Sequence, residues 1–267
     1  MNDSALPELL QPGDPSPVCI VNPQGQAPLV LVCDHASNAI PARLGTLGLG
    51  PVELSQHIAW DIGAAPVTER LAMRLNAPAL LNGYSRLVID ANRPPGDPTS
   101  IAERSDGTQI PGNRDLDDAA AEQRLDTVFW PYHHAITQAL AHRWRHGHGQ
   151  APALVAIHSF TPVMNGFHRP WHLGVLWNRD PRLAVPLLAA LRANPDLCVG
   201  DNAPYSGREV GFTMDTHGGA AGLPHVEIEI RQDLIADEAG QAYWADVVGT
   251  ALEAVLRDPA LYTVRHY

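Results

Sequence analysis

Residues 224–234 read PHVEIEIRQDL, and the middle of this stretch alternates apolar and charged residues. Because the side chains of a β-strand point alternately to opposite faces, the apolar residues are predicted to face a core. Glu227, Glu229 and Arg231 then lie on the other face of the strand. This charged face either meets water on an edge strand or presents a catalytic carboxylate at the end of a strand.

Apolar runs typical of strands alternate with helical patterns along the rest of the chain, which is the pattern of a sheet covered by helices. The predicted strands are PLVLVCDH (28–35), RLVIDANRP (86–94), ALVAIHSF (153–160), LGVLWNRD (173–180) and LCVG (197–200). The predicted helices cover residues 65–76, 119–147, 182–194 and 239–257. We therefore expect an α/β fold with a mostly parallel or mixed central sheet and helices on both faces. With 45% hydrophobic content, the chain is expected to form one domain over residues 1–267, with residues 1–17 as a loosely ordered lead.

The charge balance excludes several classes of protein. Eighteen basic and twenty-nine acidic residues give a formal net charge of −11, so neither nucleic acid nor a membrane surface is an expected partner. All the basic residues are Arg, and a sequence without Lys excludes a lysine Schiff base. Three cysteines without metal-finger spacing, together with a first segment that has no signal-like apolar run, favour a cytoplasmic location.

Polar residues directly follow three of the predicted strands, in CDHAS (33–37), DANR (90–93) and IHS (157–159). In open α/β sheets the ligand crevice lies outside the carboxyl ends of the strands, so His35 and His158 are expected to face one site. Neutral imidazoles bind transition metals well, and a catalytic zinc ion needs only one further protein ligand and a water. The sequence therefore predicts a Zn²⁺ site, with a satisfied core histidine as the ordinary alternative at each position.

Several motifs together resemble a known family. DANR, IHSF and EIR, in this order, are similar to the zinc carboxypeptidase and aspartoacylase pattern. More closely, YSRLVIDANRP, SDGTQIPGN, NAPYS and GLPHVEIEIR resemble the N-formylglutamate amidohydrolase family over roughly residues 28–235. The resemblance implies a zinc-dependent exopeptidase fold that hydrolyses an N-acyl amino acid. N-formyl-L-glutamate, cleaved to formate and glutamate in histidine degradation, is the implied substrate.

The resemblance also implies roles for individual residues, with one departure. The strand-end His binds zinc, but the stretch that matches His-x-x-Glu reads HASN, with Asn38 where Glu would stand. An amide oxygen is a poor zinc ligand compared with a carboxylate. Asp61, in HIAWDIGA, is therefore predicted as the third ligand, and helix N-capping is its alternative role. His57 either orients Asp61 or is exposed.

The general base is predicted from the EIR match to be Glu229, with Glu227 as the alternative. A carboxylate beside a metal-bound water can take its proton and pass it to the leaving amine. Arg231 is then a partner for an acidic substrate or forms an ion pair with either Glu.

Recognition of an acidic N-acyl amino acid, a small molecule, is expected to use arginine, whose guanidinium suits bidentate carboxylate binding. Arg93 is the first candidate, with Asn92 beside it. Arg104, in the long loop after DANRP, could close over the ligand, and His217, in a Gly-rich loop, could donate to the scissile carbonyl. The alternatives are a related zinc amidohydrolase for another N-acyl acidic amino acid or peptide-like amide, and a non-catalytic binder of acidic metabolites on the same fold.

Overall fold

A computed structural model describes residue 6, residues 8–147 and residues 149–267. The strands are β1 (Val18–Val21), β2 (Leu29–Cys33), β3 (Ala79–Asn82), β4 (Arg104–Ser105), β5 (Thr108–Gln109), β6 (Ala153–Phe160), β7 (Val163–Met164), β8 (Phe167–His168), β9 (Leu173–Leu176), β10 (Val199–Asp201) and β11 (His225–Arg231). The α-helices are α1 (Pro51–Leu54), α2 (Ala64–Arg74), α3 (Asp118–Arg124), α4 (Trp130–His146), α5 (Pro181–Arg192), α6 (Phe212–Met214) and α7 (Glu238–Val255). Two π-helical turns span Leu125–Phe129 and Asp215–Gly219.

Seven strands of the described chain form one sheet in the order β1-β3-β2-β6-β11-β9-β10, and β4–β5 and β7–β8 form two small hairpins. Strands β3, β2, β6 and β11 are parallel, whereas β1 and β9 run antiparallel to β3 and β11. Because β11 lies between β6 and β9, the edge-strand interpretation of its charged face is wrong. The register places Glu229 beside His158 of β6.

Helices cover both faces of this sheet, because β2 and β6 present apolar side chains on both sides. On one face, residues such as Leu31, Ile157 and Ile228 are buried against α2, α5 and α7. On the other face, α4 packs against β2 and β3 through residues that include Tyr132 and Ile136. This arrangement confirms the predicted mixed α/β fold.

The segment RLVIDANRP is not a strand, contrary to the prediction, and the strand in this part of the chain is β3. Ser85 Oγ accepts a hydrogen bond from the Leu87 N–H at 3.1 Å, and Asp90 Oδ1 accepts one from the Asn92 N–H at 2.8 Å. Short polar side chains that bond to a backbone N–H two residues later favour turns over extended structure. Residues 83–93 therefore form irregular structure after β3.

Part of the predicted lead is ordered against the fold. Residues 1–5 and 7 lie outside the described residues, but Leu9 is buried and Asp14 Oδ1 accepts a hydrogen bond from the Ala42 N–H. The assignment of residues 1–267 to a single domain stays a prediction. Among the described helices, none has the length and apolar content that a membrane span requires.

Candidate active site

Two histidines meet at the carboxyl ends of neighbouring parallel strands. His35 follows β2 after one intervening residue, and His158 lies near the end of β6. Both are buried, and their rings lie edge to face with centroids 5.0 Å apart. The structure thus brings together the two histidines that the sequence singled out.

Asp61 joins this pair from the turn before α2. Its Oδ2 lies 2.8 Å from His158 Nδ1 and 3.4 Å from His35 Nδ1, and it accepts a hydrogen bond from the Ser159 N–H at 3.2 Å. Burial alone would raise the pKa of Asp61, but the charges and hydrogen bonds of the two histidines lower it far below its ordinary value. Asp61 therefore stays ionised between them.

The two residues considered for the third ligand position, Asp61 and Asn38, lie in different surroundings. Gly63 is the N-cap residue of α2, so the interpretation of Asp61 as a helix cap is wrong. Asn38 is exposed and donates to the Leu54 carbonyl, away from the histidines. Of these two candidates, only Asp61 has its oxygen close to both imidazoles.

A carboxylate holds the far side of each imidazole. His35 Nε2 lies 2.7 Å from Asp90 Oδ1, and His158 Nε2 lies 3.1 Å from Asp34 Oδ2. Both nitrogens of each ring thus face oxygens of carboxylates, which only accept hydrogen bonds, and Nδ1 is the nitrogen that faces Asp61. Burial alone would lower the pKa of both histidines, but the surrounding carboxylates raise it, that of His158 well above its ordinary value. Two nitrogen donors and one oxygen donor then converge on one point.

The site is rich in buried negative charge. Five buried carboxyl groups lie in it: Asp34, Asp61, Asp90, Glu227 and Glu229. Arg86 and Arg93 line the cavity onto which the two histidines and the two glutamates open. Carboxyl groups thus outnumber arginines in the site, and this composition suits a bound cation.

Glu227 and Glu229 lie on the same face of β11, beside His158, and are only 4% and 5% exposed. Glu227 Oε2 accepts a weak hydrogen bond from Asn92 Nδ2 at 3.5 Å, whereas Glu229 Oε2 is buried without a hydrogen bond within the described chain. Burial raises the pKa of Glu229 to about 8 and also raises that of Glu227. Glu229 is thus the carboxylate with a free, poorly solvated oxygen in the cavity.

Arg86 is a site residue that the sequence analysis did not select. Its Nη2 and Nε donate to Asp90 Oδ2 at 2.7 and 3.1 Å, and its Nη1 lies 3.6 Å from Asp61 Oδ1. Asp34 and Asp90 were visible at predicted strand ends, but nothing in the pattern indicated that they orient imidazoles. An arginine inside the apolar run SRLVI was the signal available for Arg86.

The site opens into two adjoining cavities. The inner one, of about 140 Å³, is lined by the histidines, the two glutamates, Asn92 and Arg93. The outer one, of about 520 Å³, is lined by Arg104 and shares Arg86, Arg93 and Tyr205 with the inner one. Tyr205, which accepts a hydrogen bond from Arg169 Nη2 at 3.0 Å, was not selected from the sequence either.

Arg93 and Arg104 occupy different parts of this space. Arg93 is half-buried on the wall common to both cavities, whereas Arg104 is exposed on the β4–β5 hairpin. Neither guanidinium forms an ion pair with another residue of the described chain. Both are therefore available to an anionic ligand.

His217 does not line either of these cavities. It is buried and stacked on His133, with His217 Nε2 2.8 Å from His133 Nδ1. Because His133 Nε2 donates to the Ala91 carbonyl at 3.0 Å, the proton between the rings belongs to His217. Burial lowers the pKa of His217 to about 4. Its contacts give it a structural role rather than access to a scissile carbonyl.

Within the described chain, Arg231 and His57 pair with residues other than those predicted for them. Arg231 forms its ion pair with Asp233, at 2.8 Å, and not with either glutamate. Strand β11 ends at Arg231, so the chain turns and an acidic residue two positions later reaches its guanidinium. His57 lines both cavities but pairs with Asp106 of the hairpin loop at 3.3 Å rather than orienting Asp61.

Comparisons with known proteins find a matching family and similar solved structures. A model of the N-formylglutamate amidohydrolase family matches residues 27–236. A search of curated proteins finds no match. Among solved structures, gene product Atu2144 from Agrobacterium tumefaciens is 37% identical, with a TM-score of 0.87, over 93% of this chain and 99% of that chain. An N-formylglutamate amidohydrolase from Ralstonia eutropha JMP134 shares the fold at 19% identity and a TM-score of 0.59, over 90% of this chain and 97% of that chain.

Proposed function

The chain belongs to the N-formylglutamate amidohydrolase family, and on that premise we propose that it is a zinc-dependent hydrolase of N-acyl acidic amino acids. N-formyl-L-glutamate is the proposed preferred substrate. Membership of the family makes the protein a hydrolase that acts on an amide. The finer assignment rests on one observation, which is the convergence of His35, Asp61 and His158 beside the free carboxylate oxygen of Glu229.

The donor set fits zinc. Two imidazole nitrogens and one carboxylate oxygen are the protein ligands of many catalytic zinc sites, which keep a further position for water. His35, Asp61 and His158 would hold the ion, while Asp90 and Asp34 fix the histidine rings from behind. Zinc held by these residues would activate water as a nucleophile and polarise the scissile carbonyl.

Glu229 acts as the general base in this proposal in its ionised form, which a bound cation would favour by lowering the pKa that burial raises. Its Oε2 takes a proton from the attacking water and delivers it to the nitrogen of the leaving amino acid. Glu227 keeps its contact with Asn92, whose own Oδ1 accepts a hydrogen bond from the Thr213 N–H at 3.0 Å. Glu227 therefore supports the charged face and keeps Asn92 oriented.

The arginines on the cavity wall select the substrate. Arg93, next to Asn92, binds the α-carboxylate at the border of the two cavities, and Arg104 binds the side-chain carboxylate in the outer cavity. The small inner cavity favours a short acyl group such as formyl. Arg86 presents positive charge to the same wall and stabilises the charge that develops on the acyl oxygen.

A substrate panel with metal analysis tests this proposal. We expect the purified protein to hold about one equivalent of zinc by elemental analysis, and to lose activity with a chelator and regain it with added zinc. Of N-formyl-L-glutamate, N-acetyl-L-glutamate, N-formyl-L-aspartate and N-formyl-L-glutamine, the first should show the highest kcat/KM. If another compound of the panel has a higher kcat/KM, that compound takes the place of N-formyl-L-glutamate as the proposed substrate. A zinc-loaded protein that binds these compounds but cleaves none would support the non-catalytic binder instead.

A further inference from the structure

The irregular segment 83–93 carries four residues of the candidate site without the support of a sheet: Arg86, Asp90, Asn92 and Arg93. Buried backbone carbonyls outside a ladder need other donors, because an unpaired one is costly. Two side chains from elsewhere in the chain supply them. Asn113 Nδ2 donates to the Leu87 carbonyl at 2.9 Å, and Arg124 Nη1 donates to the Val88 carbonyl at 3.0 Å.

Arg124 is the most deeply buried arginine of the described chain. It is only 2% exposed, and no carboxylate of the described chain forms an ion pair with it. Besides Val88, its partners are Asn113 Oδ1 at 2.7 Å and the Gly112 carbonyl at 3.1 Å. Burial lowers its pKa to about 10, so it remains a cation at neutral pH. A cation buried without a counter-charge is costly to keep, so its role must lie in the groups that it holds.

The same two side chains also hold the loop that forms the outer cavity. Asn113 Nδ2 donates to the Ala102 carbonyl at 2.8 Å, close to Arg104, as well as to Leu87. Arg124 reaches Gly112 of this loop with Nη2 while Nη1 contacts Val88. One hydrogen-bonded unit thus links helix α3, the loop before it and the segment that carries Arg93.

We propose that Arg124 and Asn113 form a clamp that positions the arginines of the substrate pocket, and that Arg124 is a positioning residue for the reaction. The effect of Arg124 on kinetics rests on the proposed function, whereas its effect on the order of segment 83–93 does not. Arg86 and Arg93 lie on one side of the clamp and Arg104 on the other. Loosening the clamp therefore changes the spacing between the groups that bind the two carboxylates.

Arg143 offers a matched control. It is also a buried arginine on a helix, 8% exposed, and donates to a backbone carbonyl, that of Gly25 in the loop before β2. Arg124→Met and Arg143→Met each remove a buried guanidinium of this kind, but only the first touches the segment of the site. Two variants change the clamp more mildly. Arg124→Lys keeps the positive charge but loses the paired N–H donors of the guanidinium, and Asn113→Ala removes only the Asn113 hydrogen bonds.

The test combines hydrogen exchange with steady-state kinetics on the full chain. In Arg124→Met and Asn113→Ala we expect faster amide exchange in residues 84–93 and 100–113, and kcat/KM for N-formyl-L-glutamate lower by about 10- to 100-fold, mostly through KM. Arg124→Lys should fall between these and the wild type, and Arg143→Met should keep wild-type kinetics despite its loss of stability. Where Arg124→Met does not fold, Asn113→Ala and Arg124→Lys carry the same comparison.

The proposal is overturned if exchange in residues 84–93 is unchanged, or if Arg143→Met alters KM as much as the clamp variants do. Amide exchange could increase in the clamp variants although the wild-type protein cleaves no N-acyl amino acid. That result would support the clamp and exclude the proposed function. The two failures are therefore distinguishable.

Discussion

Replacement of Glu229 by Gln is expected to abolish most turnover while it leaves the fold and the metal site intact. Glu229 Oε2 makes no hydrogen bond within the described chain, so the nearly isosteric amide breaks no existing contact there. General base catalysis contributes about 10²- to 10⁴-fold in rate, so kcat should fall by this factor, or about 3 to 5 kcal/mol in activation free energy. KM should change little, because the proposed carboxylate-binding groups are the arginines on the cavity wall.

The matched control is Glu227→Gln, on the same face of the same strand and equally buried. Its amide oxygen can still accept the Asn92 hydrogen bond, so we expect a loss in kcat of less than about tenfold. Formate release, zinc content and thermal unfolding should be measured for both variants. The assignment is refuted if Glu227→Gln is the inactive enzyme and Glu229→Gln the active one, and the catalytic face itself is refuted if both stay active.

Four further expectations follow from the structure. Arg93→Ala should lower kcat/KM for N-formyl-L-glutamate by roughly 100-fold, mainly by raising KM, because the carboxylate contact exists in the ground state too; unchanged kinetics would remove Arg93 from the site. Arg104→Ala should impair N-formyl-L-glutamate but spare N-formyl-L-glutamine, and equal losses on both would exclude a contact with the side-chain carboxylate. His158→Ala should lose bound zinc and activity together, and a full equivalent of zinc in this variant would show that the ligands lie elsewhere. His217, whose pKa burial lowers to about 4, should make the fold acid-labile: stability is complete above the pKa of unfolded histidine, 6.5, and up to about 3 kcal/mol is lost as pH falls to about 4. His217→Gln, which can still donate to His133, should reduce this pH dependence in denaturant titrations, and an identical dependence would contradict a buried neutral His217.

Residues whose position follows from strand geometry could be predicted from the sequence. Alternation in β11 placed Glu227 and Glu229 on one face, and the ends of two apolar runs placed His35 and His158 at one edge of the sheet. These inferences need only the period of a strand and the parallel order of the sheet. Whether the charged face met water or a site depended on the neighbours of β11, which the local pattern does not contain.

Residues whose role depends on contacts between distant segments could not be predicted in this way. Asp61 matched a helix cap as well as a ligand, and only the folded structure shows that Gly63 is the cap and that Asp61 lies beside His158. The run RLVIDANRP was predicted as a strand from its apolar residues. The hydrogen bonds of Ser85 and Asp90 that form turns there are not visible in that pattern. Arg124 gave no signal at all, since a buried arginine within a helical pattern resembles an exposed one until its partners are known.

The place of β11 inside the sheet has a consequence for the folding of the nascent chain. Pairing of Leu29 with Ala153 and of Leu154 with His225 joins segments that are far apart in sequence, so long loops must close before the central strands meet. Synthesis completes β6 and β9 well before the strand that belongs between them. Until β11 inserts, both present unpaired edges, and β6 is apolar from Ala153 to Ile157. A chain truncated before residue 225 is therefore expected to aggregate through these edges rather than fold into a smaller stable protein.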